Sequence, residues 1–286
     1  MMYVYTFYTD EEEISYIKET DLLNNMNVNY IKKDSWNGYT DEINETNNII
    51  KNHNDNDIIC FIHAYDVLIN QDMSYLTEKF NNYNCDLLIG VELNCSIEKY
   101  INMYPNTTSK KKYICSGGYI GYKFAIQDLF NWKSYDDICN ICLDGGLKSY
   151  FTEYFLSKQS ERIKLDNDCL IFQNMYLVSW NELRIHNGKI HNKSLHKYPC
   201  FVHFNMGSKK QSNGENIIPI IVDKIKITSN NTIIVDPDPS ETFSSTDPSE
   251  TNIHIPVITR RLELSENLYD YYQYRPPNNF CTISQI

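Results

Sequence analysis

The sequence is short of positive charge: 26 Lys and Arg stand against 37 Asp and Glu in 286 residues, a formal net charge of −11 at pH 7. A surface that tracks phosphates along nucleic acid or an anionic membrane needs clustered cations, so neither partner is expected. The basic run SKKKY, residues 109–113, is short and reads as a solvated loop. Long apolar runs are missing as well. None approaches the roughly 20 residues that cross a bilayer, and the opening MMYVYTFYTDEEE has neither a basic leader nor a long apolar centre. No transmembrane helix and no signal peptide are expected. Paired CxxC motifs are the third absence. Nine cysteines are scattered and CNIC, residues 139–142, stands alone, so neither a zinc ribbon nor a disulfide framework is specified. Reduced thiols in a cytoplasmic compartment are the expectation.

What is present is apolar content sufficient for a sizeable core, 42% hydrophobic with 13% aromatic. YVYTFYT (Tyr3 to Thr9) reads as a strand, and the acidic run after it reads as the cap of a helix carrying Ile14, Ile17, Leu22 and Leu23. VNYIKK returns as a strand. The alternation continues with helices near Glu42 to Asn52 and Met73 to Asn81, and strands at Ile58 to Ile62 and Cys85 to Glu92. Strands alternating with helices predict an α/β, doubly wound, mostly parallel sheet. Ligands bind such sheets beyond the carboxyl ends of strands, where Thr6 to Thr9 and His63 to Asp66 lie. Helical patterns follow over Phe124 to Trp132 and Gly146 to Lys158, then a hairpin turned at Asn187-Gly188 and a last apolar strand from Cys200.

Past about Asn213 the character changes, which divides the chain into a domain over 1–215 and an extension over 216–286. IIPIIVDKIKIT and NTIIV are strand-like, and residues 236–251, rich in Pro, Ser and Thr, read as a linker or long loop. The aromatic tail LYDYYQYRPPNNF is suited to dock on the main domain or on a second copy, giving a homodimer.

The stretch IICFIHAYDVLI carries the chemistry. His63 and Asp66 stand three residues apart after a buried strand, and His203 ends a distant one, so three ligands can converge on one divalent cation. Imidazole with carboxylate suits Mn²⁺ better than Mg²⁺ or Ca²⁺. Taken singly, a strand-capping histidine and a turn aspartate are the commoner roles for His63 and Asp66.

The order of motifs goes further. YTFYT, Trp36 and Gly38 in SWNGY, FIHAYDVL, Glu92 and Cys95 in VELNC, Tyr104-Pro105, SGGYIGY, YFTEYF, LDNDCLIFQNM and VHFNMGSK follow one another between Tyr3 and Lys209. In this the chain resembles the glycosyltransferase domain of the multifunctional procollagen lysyl hydroxylases and related collagen glycosyltransferases, giant-virus versions included. The resemblance implies a GT-A fold, with a Rossmann-like doubly wound mixed sheet, and Mn²⁺-dependent transfer of a hexose from a UDP-sugar to a collagen-like hydroxylysine or a glycan hydroxyl. Matched position by position, Asp66 and His203 take the places of metal ligands, and His63 replaces the first aspartate of the usual Asp-Ser-Tyr-Asp. Tyr65 faces the uracil, Thr6, Tyr8 and Trp36 line the nucleotide side, and Asn205, Gly207 and Lys209 match the diphosphate loop. The family's aspartate run before a helix is reduced here to Asp144-Gly145-Gly146-Leu147, and its usual Asn before Ser116 is Cys115. That leaves Asp144 or Asp166 for the catalytic carboxylate. It also keeps a second reading open, a GT-A scaffold that binds nucleotide, glycan or protein without transfer. The hydroxylase half of those relatives is not matched, so hydroxylation is not expected.

Overall fold

A computed structural model describes residues 1–158, 160–210 and 215–230. In chain order the elements are β1 (Met2–Tyr8), α1 (Ser15–Asn24), β2 (Asn29–Lys32), α2 (Tyr39–Ile50), β3 (Ile58–Ile62), β4 (Val67–Ile69), α3 (Met73–Tyr83) and β5 (Leu87–Glu92). They continue with β6 (Tyr113–Tyr122), α4 (Lys123–Asn131), α5 (Tyr135–Cys142), α6 (Leu147–Lys158), β7 (Ile163–Leu165) and β8 (Phe172–Asn174). Last come β9 (Leu183–His186), β10 (Lys189–Asn192), β11 (Phe201–His203) and α7 (Ile218–Asn230).

The main sheet has the order β2-β1-β3-β6-β5-β7. All its strands run parallel except β6, which is antiparallel to both β3 and β5. The sheet is therefore mixed, as expected for the GT-A type. Period-two alternation splits its side chains between two cores. Phe61, Leu87, Ile89 and Tyr119 face a core shared with α2, α4, α5 and α6. Val4, Cys60, Ile62, Leu88 and Ile120 face the other, shared with α1 and α3. A second sheet, β4-β11-β8, packs into that second core through Val67, Ile69, Phe172 and Phe201.

Glycines decide how closely these layers approach. A Cβ at Gly118 would lie 2.6 Å from the Phe172 ring, and one at Gly117 would lie 2.2 Å from His203 Cε1. The two bare positions in β6 let the second sheet close onto the first. The hairpin β9–β10 turns where expected, with Asn187 and Gly188 at φ 48° and 69°, the left-handed pair that a two-residue turn requires.

Two local expectations are corrected. The acidic run before α1 does not cap it: the helix starts at Ser15 behind Ile14 without a side-chain cap, while Asp10 accepts from the Glu12 N–H at 2.8 Å. IIPIIVDKIKIT is not a strand but most of α7, with Ile217, Ile218, Ile221, Val222 and Ile225 buried at helical spacing and Pro219 in its first turn. Its packing against α1, β9 and β10 outweighs the strand preference of isoleucine. Residues 216–230 of the expected extension thus pack on the main body. The 236–251 linker, NTIIV and the aromatic tail lie outside the described residues.

Candidate active site

The carboxyl ends of β1 and β3, the start of β6 and the turn after β11 enclose a cleft of about 420 Å³. His63 and Asp66 line it and His203 is buried beside them; each of the three offers a ligand atom, all within 4.8 Å of one another. Main-chain bonds set this convergence: His63 N–H donates to Gly117 O at 3.1 Å, and Phe204 N–H donates to Asp66 O at 2.7 Å. The loop after β3 is thereby fastened to β6 on one side and to the end of β11 on the other.

His203 is held for ligation. Asn174 gives its amide N–H to Val91 O at 2.8 Å, which turns its Oδ1 toward His203 Nδ1 at 2.7 Å. A proton on Nδ1 leaves Nε2 as the ligand atom, the outer-shell arrangement that metal-binding histidines use. Nε2 is buried without a hydrogen-bond partner, 3.2 Å from Asp66 Oδ1. An orphaned imidazole nitrogen beside a carboxylate and a second imidazole fits a divalent transition-metal ion. Burial opposes charge on both partners, yet each overrides it for the other: the Asp66 carboxyl is held at about 2, helped by His63 and Lys209, and the His203 imidazole rises to about 10. His63 is displaced the opposite way, because the surrounding walls desolvate its ring and the His203 charge disfavours a second proton. His63 is nevertheless the exposed member of the three and lines the cleft.

Of the residues expected on the nucleotide side, Tyr8, Trp36, Tyr65 and Lys209 line the cleft. Tyr65 is fixed by its hydroxyl, which accepts from the Thr9 N–H at 2.6 Å. Thr6 does not reach the cleft: it is fully buried and donates to Ile62 O at 2.7 Å, joining β1 to β3. Asn205 is likewise spent on the scaffold. Its Oδ1 accepts from the Met175 and Tyr176 N–H groups at 3.1 and 2.9 Å, and its Nδ2 donates to Glu92 Oε2 at 2.6 Å. Its part is to anchor the turn Met206–Lys209, in which Gly207 stands open with nothing within 4 Å of a notional Cβ.

Neither carboxylate expected to be catalytic lines the cleft. Asp144 lies in the α5–α6 turn, exposed and paired with Lys99 at 3.2 Å, while Gly146 at φ 65° closes α5. Asp166 is fully buried. It accepts from the N–H groups of Leu170, Ile171 and Phe172 at 3.0, 2.9 and 2.6 Å and from the Tyr83 hydroxyl, so it caps the loop leading into β8.

Other cleft and supporting residues escaped the sequence. Phe7, Glu42, Phe61, Ser116, Gly117 and Tyr119 are among the further lining residues, and Asn174, Glu92 and Lys148 support the site from behind, the last two as an ion pair. The period-two pattern of β1 and β3 could have flagged Phe7 and Phe61. Glu42 carried no signal beyond a place on a polar helix.

The mixed sheet, the cleft at its strand ends and the metal-capable triad define a GT-A-type glycosyltransferase domain. Comparison gives the particular family: the PLOD GT domain matches residues 25–221, and the chain belongs to it. It is 27% identical over 177 residues to an uncharacterized protein of Acanthamoeba polyphaga mimivirus, covering 60% of this chain and 36% of that one. It is 27% identical over 174 residues to chicken procollagen-lysine,2-oxoglutarate 5-dioxygenase 1, covering 57% and 23%. With the human multifunctional procollagen lysine hydroxylase and glycosyltransferase the identity is 26% over 166 residues, covering 54% and 21%. The chain therefore spans about a third or less of the length of these relatives. Among the described residues no helix is long and apolar enough to cross a membrane.

Proposed function

We propose that this domain transfers a hexose from a UDP-sugar to a hydroxyl of a protein or glycan, with collagen-like hydroxylysine as the acceptor class that the relatives' names suggest. The observation that carries the reading is one cleft lined by His63, Asp66, Lys209 and aromatic rings, with the buried His203 completing a cluster of three metal-capable side chains. His63, Asp66 and His203 would hold a divalent cation, Mn²⁺ by its ligand chemistry, which would offset the charge developing on the departing diphosphate. Lys209 adds positive charge on the same side, and Asn205 keeps the turn that carries it in place. Trp36 and Tyr65 present rings to a nucleobase, and the bond from Thr9 keeps Tyr65 from swinging away.

The decisive experiment is a UDP titration with and without Mn²⁺, followed by assay of UDP-glucose and UDP-galactose hydrolysis and transfer. Full transfer activity in Asp66→Ala would sink the reading. A second reading, binding without transfer, is favoured by the sites of Asp144 and Asp166, which leave the cleft without either expected carboxylate. Mn²⁺-dependent hydrolysis of a UDP-sugar well above background would exclude that second reading.

A further inference from the structure

Glu42 is the one cleft carboxyl apart from Asp66, and no ion pair or hydrogen bond engages it among the described residues. It projects from α2 onto a wall of rings. Phe7 stacks on Phe61 at 5.8 Å between centroids, Phe61 stacks on Tyr119 at 5.2 Å, and Trp36 adds a fourth ring 5.4 Å outside Phe7. Phe61 and Tyr119 are buried in the core and back the wall, so Phe7 and Trp36 form its open part; such a surface beside a lone carboxyl suits a flat heteroaromatic ring, with its body on the rings and its edge on the acid.

We propose that Glu42 reads the hydrogen-bonding edge of the donor nucleobase, donating one hydrogen bond and accepting another. The proposal rests on the nucleotide-donor reading given above. A carboxylic acid offers an O–H and a C=O side by side, which matches the adjacent N–H and C=O of an imide edge such as that of uracil. The ionised form would have two acceptors and would repel the base carbonyl.

The surroundings favour the acid form. Burial alone pushes the Glu42 carboxyl up to about 8. On its own helix Glu45 is paired with Lys33 at 2.7 Å, and Asp41 accepts from the Asn37 N–H at 2.7 Å. From β6 it meets Tyr119, whose hydroxyl lies 3.3 Å from Thr46 Oγ1, and from α5 it meets the Cys142 thiol, itself pushed up by burial. Across the cleft stand His63, Asp66 and Lys209. None of these supplies a partner that would keep Glu42 ionised at neutral pH.

The test is UDP binding to the wild-type chain, Glu42→Gln and Glu42→Leu between pH 6.5 and 9.5, with a separate Mn²⁺ titration of each to check that the triad is intact. Glutamine keeps a donor and an acceptor at every pH, so the wild-type to Glu42→Gln ratio cancels the titration of the triad. That ratio should be near one at pH 6.5 and fall about tenfold per unit above pH 8. Glu42→Leu should bind UDP at least about tenfold more weakly than Glu42→Gln throughout, and more weakly than the wild-type chain at pH 6.5, with its Mn²⁺ affinity unchanged. Wild-type UDP affinity in Glu42→Leu, or a pH-independent ratio, overturns the assignment and leaves the donor-site reading standing. Absence of UDP binding by the wild-type chain overturns both.

Discussion

The Asp66 carboxylate lies 3.2 Å from His203 Nε2, across the join between the β3–β4 loop and β11. This contact links chain segments 137 residues apart, and it gives the cleft both its charge and its vulnerability.

Without a bound cation the two residues hold each other charged. The His203 pKa rises from 6.5 to about 10, so its share of stability is complete below pH 6.5 and is lost as pH climbs toward 10. That of Asp66 falls from 3.8 to about 2, so its share is present above pH 3.8 and is lost as pH drops toward 2. The difference in Tm between the wild-type chain and Asp66→Asn should be greatest between about pH 4 and 6.5, roughly 5 °C, and should close at both extremes. Thermal melts across that range decide it, and a flat difference would refute the pairing.

Metal affinity should follow the donor atoms. Asp66→Ala removes the one carboxylate of the triad and should weaken Mn²⁺ binding about a hundredfold, whereas His63→Asp adds a negative charge and should tighten it about tenfold. Asn174→Leu touches no cation, yet it frees the His203 ring and should lose about tenfold. Calorimetry of the three variants orders them.

Two glycines should respond oppositely to alanine. Gly117→Ala drives a methyl into the His203 ring, so it should lower stability by about 3 kcal/mol and abolish Mn²⁺ binding. Gly207→Ala meets nothing within 4 Å and should be neutral within about 0.5 kcal/mol. Equal effects in melting experiments would contradict the layer contact described above.

Asp144 and Asp166 can be separated by stability alone. Asp166→Ala strands three backbone N–H groups, two of them buried, and should cost about 3–5 kcal/mol, while Mn²⁺ affinity of the folded fraction is retained. Asp144→Ala breaks an exposed pair and should change stability by less than about 0.5 kcal/mol. Urea titration gives both numbers.

The convergence of His63, Asp66 and His203 was legible because each stands at or just beyond the end of a buried strand, though the second sheet that carries His203 to the end of β3 was not. The hairpin turn was legible because Asn-Gly is matched to left-handed backbone. Asp166 misled because an acid after a strand looks the same whether it meets substrate or caps a loop; only its three N–H partners separate the cases. Asn174 gave no local signal, since its partners Val91 and His203 come from distant segments, and Glu42 gave none because only the folded cleft sets it apart from the other acids of α2. The β-branched run around Ile221 was misread because its helical spacing is masked by apolar residues at the intervening positions.

The reversed direction of β6 has a further consequence. The connection between β5 and β6, residues 93–112, leaves and re-enters the sheet on the cleft side without crossing over. That segment can change length with the strand order untouched, provided it keeps Ile97, Tyr100 and Tyr104, the side chains by which it is fastened into the core.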